Sequence, residues 1–159
     1  MLRVPALTFT LATLAAAPFT GALAQAPLDS SDFVVGQLRD GMDSTRVRTV
    51  LGSPQSVDRR DNRFDTGTSL VTWHYPGLAI DFFSSDHVVG ITLTDRTRST
   101  RRGLRVGDSV ANLQRLYGEP SGKYEDSWDY QDASNDLHVI RLTVRGDHIT
   151  AIYLGAILD

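Results

Sequence analysis

The sequence predicts an α+β protein built as two tandem units, each of one or two helices followed by a three- or four-stranded antiparallel meander. Three observations carry that prediction. Gly41, Gly52 and Pro54 recur as Gly107, Gly118 and Pro120 at one common offset of 66 positions. Between the glycines, Val47, Val50 and Leu51 are matched by Leu113, Leu116 and Tyr117, and both sets keep the spacing of one helix face. After each such segment come short runs that alternate apolar and polar residues, the period of a half-buried strand. Repetition at this spacing sets architecture before any local motif is considered.

The chain opens with a basic start, Met1-Leu2-Arg3, an apolar stretch from Ala6 to Ala17, and a small-x-small site at Ala22-Leu23-Ala24. This is the pattern of a secretory signal peptide over residues 1–24, with cleavage after Ala24 preferred to cleavage after Ala26, which would set Pro27 beside the cut. The apolar run is shorter than the roughly 20 residues a spanning helix needs, and Pro5 and Pro18 interrupt it. Gln25 stands where a lipoprotein would carry its lipid-bearing Cys, and the sequence has no Cys at all, so the expectation is no lipid anchor and no disulfide. Lys and Arg number 16 against 19 Asp and Glu, a net charge of −3 that offers no general attraction to nucleic acid.

Residues 25–31 read as a flexible N-terminus. Repeat 1 spans 32–95. It begins with a short helix expected over Asp32 to Leu38, then a second helix capped by Asp43 or Ser44, whose short side-chain oxygens accept orphan backbone N–H groups. Gly52 ends that helix at positive φ, and Pro54 prevents continuation. A weak strand at Gln55 to Val57 precedes Leu70 to Tyr75, Leu78 to Phe82 and Val88 to Thr94. A basic linker, 96–103, leads to repeat 2 over 104–159, with a poorer helix candidate at Thr97 to Leu104. There Asp108 or Ser109 caps the helix, Gly118 and Pro120 end it, and strands follow near Gly122 to Tyr124, Glu125 to Tyr130, Ile140 to Val144 and Ile149 to Leu154.

The segments Leu38-Arg39-Asp40-Gly41-Met42 through Val47, Leu51-Gly52-Ser53-Pro54, Thr72-Trp73-His74-Tyr75 and Phe82 through Val88 resemble the SmpA/OmlA (BamE-like) domain family. Val106-Gly107-Asp108-Ser109 and Leu116-Tyr117-Gly118-Glu119-Pro120 carry the pattern a second time. The tandem arrangement resembles the wider superfamily that includes the beta-lactamase inhibitor protein. The resemblance implies a non-enzymatic, partner-binding protein of the cell envelope. It departs from single-copy lipoprotein members in having two copies and no Cys.

Two groups of residues are candidate partner-binding sites. Trp73 and Tyr75 match Trp128 and Tyr130 at strand period two, and an aromatic row on a sheet face makes a good anchor. On that reading at least one of the four rings is exposed; packed beneath the helices they would instead be core. Arg98, Arg101 and Arg102 lie in a basic run suited to weak contact with an anionic envelope surface, or to nothing more than a solvated linker. His87 and His148 fall in matching places of different units, and no His or acidic spacing marks a metal site. No Gly-x-Ser-x-Gly elbow, phosphate loop or acid–base pair is identified, so no enzyme and no cofactor are expected. The expected function is an interaction scaffold or accessory factor for envelope proteins, periplasmic or secreted after signal-peptide removal. The alternatives are an inhibitor of a secreted enzyme and a binder of an anionic surface polymer.

Overall fold

Alternation along the strands gives this sheet one dry face and one wet face. The computed structural model describes residues 26–61, 69–83 and 86–157, and in them the chain is mostly β. A short 3-10 turn at Ser30–Asp32 leads into a two-stranded ribbon, β1 (Val34–Val35) and β2 (Leu38–Arg39). Helix α1 (Ser44–Leu51) is followed by β3 (Ser56–Asp61), β4 (Ser69–Tyr75), β5 (Leu78–Phe83) and β6 (His87–Leu93). Helix α2 (Val110–Tyr117) is followed by β7 (Gly122–Lys123), β8 (Ser127–Asp132), β9 (Asn135–Arg145) and β10 (His148–Ala156).

Strands β3 to β10 make one continuous eight-stranded sheet in the order β3-β4-β5-β6-β10-β9-β8-β7, antiparallel throughout. The seam between the halves is the β6–β10 pair, which sets Leu93 opposite Ile152, Thr92 opposite Tyr153, Ile91 opposite Leu154 and Gly90 opposite Gly155. Helical Val47, Leu113 and Tyr117 join Ile80, Ile91, Leu142, Ile152 and Leu154 in a single buried cluster on one face. Each large apolar side chain so buried contributes about 1.5–3 kcal/mol.

This corrects the expected fold class. The protein is not two tandem helix-plus-meander units of an α+β fold; among the described residues the α-helices are two short segments of 8 residues lying on one shared sheet. The expected helix over Asp32 to Leu38 is replaced by the 3-10 turn and the ribbon. Val34 and Val35 are β-branched and favour the ribbon's extended backbone, and Gly36 opposes a helix. The expected helix over Thr97 to Leu104 is also missing. The backbone there turns on Thr100, whose N–H donates to the Leu104 carbonyl while its hydroxyl accepts from the Leu104 N–H. Separate meanders do not form because β6 and β10 each carry an apolar alternation with no other partner on that side, and pairing them satisfies both edges.

The repeated glycines and acids have a local reason. The Gly41 N–H donates to the Val88 carbonyl and the Gly107 N–H to that of Ile149, both at 2.8 Å. Asp43 caps α1 by accepting from the Arg46 N–H, and Ser109 caps α2 by accepting from the Asn112 N–H. The segment before each helix is thereby sewn to the start of the last strand of its half. The signal-peptide reading of 1–24 lies outside the described residues.

Candidate functional site: the open face of the sheet

The residues that alternate with the core point to the other face and line up in rows across the strands. One row runs Asp58, Thr72, Asp81, Gly90, Gly155, Val139 and Gln131, crossing from β3 to β8. The next runs Ser56, His74, Ala79, Thr92, Tyr153, Arg141, Asp129 and Gly122, crossing from β3 to β7. Period-two geometry makes such rows unavoidable once the register is set.

Seven of the side chains in these rows are held in place by hydrogen bonds. His74 Nε2 lies 2.9 Å from Asp58 Oδ2. Arg141 grips Asp129 with two bonds of 2.9 Å, a planar fork on a carboxylate. The Thr72 hydroxyl donates to Asp81 Oδ1 at 2.6 Å, and the Tyr153 hydroxyl donates to the Ala156 carbonyl at 2.5 Å. Gly90 makes room at the centre: a Cβ there would stand 2.7 Å from the Tyr153 ring and 3.1 Å from Asp81 Oδ2. Burial raises the Asp81 carboxyl above the ordinary range, against the lowering effect of the Thr72 hydrogen bond and the charges of His74 and Arg60. Burial also pushes the Tyr153 phenol up, with the Asp81 charge adding to it.

The sequence-predicted residues lie elsewhere. Trp73, Tyr75, Trp128 and Tyr130 are all in the core, at 7%, 8%, 6% and 4% exposure, which corrects the expectation that one of these rings is exposed. Their polar ends are satisfied: the Tyr75 hydroxyl donates to the Gly52 carbonyl and the Tyr130 hydroxyl to that of Gly118. Arg48 and Lys123 lie over the rings of Trp73 and Trp128. These aromatics therefore belong to helix–sheet packing, and none of them contributes to the open face.

The arginines divide. Arg101 is exposed and Arg98 donates to the Pro76 carbonyl. Arg102 is half-buried, which corrects the expectation of a free linker charge. It binds both carboxylate oxygens of Asp32 at 2.7 Å and donates to the carbonyls of Ala26 and Pro27. Its guanidinium also lies 5.1 Å from the centre of the Tyr117 ring. It ties the N-terminal segment 26–32 onto the second half.

Sequence reasoning missed Asp81, Tyr153, Asp129 and Arg141. Their signal is a polar residue set between two core positions, as Asp81 stands between Ile80 and Phe82. That pattern says which face a residue occupies without saying which other strands stand beside it. Among the described residues no group of three or more His, Asp or Glu is placed to hold a metal ion, and no helix is long and apolar enough to cross a membrane.

No protein family and no curated protein matches the sequence. A solved structure that it resembles is an extracellular protein containing an SCP domain from Bacillus anthracis str. Ames, at 13% identity and a TM-score of 0.51. The match covers 83% of this chain and 48% of the other, so the chain spans about half the length of that protein. The likeness is one of fold.

Proposed function

We propose that this is a non-enzymatic, partner-binding protein of the cell envelope, exported by the segment 1–24, and that it docks its partner on the open face of the sheet. One observation carries the reading: helices cover one face of an eight-stranded sheet, while the other carries three polar pairs, Thr72–Asp81, His74–Asp58 and Arg141–Asp129, each already fixed by hydrogen bonds. Fixed side chains lose little freedom on binding, and that lowers the cost of association. The export reading is supported by the basic start, the apolar stretch Ala6 to Ala17 and the small-x-small site Ala22-Leu23-Ala24.

The test places a bulky side chain on the open face and another on the outer helical surface. Gln131→Trp and Thr143→Trp are expected to reduce capture of the partner from envelope extract, whereas Thr45→Trp on the exposed side of α1 leaves it intact. Capture lost with Thr45→Trp and kept with both sheet variants would overturn the reading. A captured secreted enzyme whose activity falls on binding would place the protein among inhibitors rather than accessory factors.

A further inference from the structure

The acids of the open face are not equivalent. Asp58 has His74 at 2.9 Å and Asp129 has the Arg141 fork. Asp81 has no cation in contact among the described residues. Thr72 satisfies its Oδ1, and Oδ2 receives no hydrogen bond from the described residues. It stands near the middle of the sheet, beside the seam, with the Tyr153 ring lying over Gly90 next to it. Taking a carboxylate partly out of water without a countercharge is costly, as its raised pKa reflects. Thr72 offsets part of that cost through one hydrogen bond, and His74 and Arg60 act on it without touching it.

We propose that Asp81, Thr72 and Tyr153 form a seat for one arginine side chain of a partner protein that docks on the open face. The inference rests on the reading of that face as the docking surface. Asp81 Oδ2 accepts a charge-assisted hydrogen bond from the guanidinium. The Tyr153 ring offers a flat surface on which the planar group stacks, a fit that an ammonium makes less well. Thr72 fixes the carboxylate through Oδ1 and leaves Oδ2 for the incoming group. Gly90 lets the Tyr153 ring lie beside Asp81, since a Cβ there would stand 2.7 Å from the ring. A single site of this kind selects a partner with a protruding arginine and rejects one presenting an acid, which would face Asp81 unpaired.

The seat is testable without the partner. N-acetyl-L-arginine amide is titrated into the 15N-labelled protein, with N-acetyl-citrulline amide as the uncharged match of equal shape. Saturable shifts are expected at the amides of Asp81, Gly90 and Tyr153 with the arginine probe, and binding about tenfold weaker with the citrulline probe. Asp81→Asn keeps the acceptor for Thr72 and is expected to lose the difference between the probes. Tyr153→Leu, which removes the ring and keeps the carboxylate, is expected to weaken the arginine probe several-fold. Equal binding of the two probes, or arginine binding unchanged in Asp81→Asn, would overturn the seat. If Gln131→Trp still abolishes partner capture in that case, the open face stands as the docking surface and only the arginine seat falls. Capture indifferent to the open-face variants overturns the docking reading, and with it this one, whatever the titration shows.

Discussion

At the scale of single residues, two charges act in opposite ways. Arg102 neutralises the buried Asp32 and holds the carbonyls of Ala26 and Pro27, so its loss leaves a buried carboxylate without a partner. Arg102→Ser is expected to cost about 3 kcal/mol and to lower Tm by roughly 6–12 °C. Arg101→Ser, a change at an exposed side chain, is expected to stay within about 0.5 kcal/mol. Thermal melts of the two variants side by side check both. Asp81 is the reverse case, a charge that the fold disfavours. Its pKa is raised in the folded state, so between its ordinary value and its folded value the native protein holds the extra proton. Stability contributed by this group is therefore intact below that window and declines as pH rises through it. Asp81→Asn is expected to stabilise the protein at pH 7, with the gain disappearing at pH 3, below the ordinary carboxyl value of 3.8. Urea unfolding at the two pH values measures it, and an equal gain at both would show that charge is not the cause.

At the scale of elements, local chemistry is legible in the sequence and long-range pairing is not. The ends of both helices are readable because a cap and a terminating glycine act within a few residues. Gly52 adopts φ +81 with ψ −162, and Gly118 φ +76 with ψ −147. Only glycine enters this region without strain, so Gly52→Val and Gly118→Val are each expected to cost about 1–3 kcal/mol, read as a lower urea midpoint at unchanged slope. Loss of neither would place the helix ends elsewhere. The ribbon at β1 and β2 escapes sequence reading because the apolar spacing of Phe33, Val34, Val35 and Leu38 suits a helix as well as a hairpin. The β-branched pair and Gly36 decide it. The aromatic pairs are equivalent, as their spacing says, yet none is exposed, because period two alone does not say which face the helices cover. The open-face rows stay hidden for a related reason: Asp81 and Tyr153 come together only through the register of two strands distant in sequence.

At the scale of the whole molecule, the internal repeat is visible in the glycines and the union of the halves is not. One seam and one core make the two halves a single cooperative body. Calorimetry is therefore expected to show one transition, with calorimetric and van't Hoff enthalpies equal, and two resolved transitions would contradict it. The same seam has a kinetic meaning. Leu93 and Ile152 are neighbours in space and about sixty residues apart along the chain, so closing that loop is slow compared with forming the local hairpins. Strand β10 follows the other seven described strands of the sheet in order of synthesis and yet lies near its middle. Until it emerges, β6 presents a bare edge lined by Val88, Ile91 and Leu93, the kind of surface that pairs with whatever strand arrives first. A nascent chain of this design stays unfinished, and open to a holding chaperone, until its final strand is made. Trimming that strand would remove the keystone of the sheet and leave the first half to aggregate.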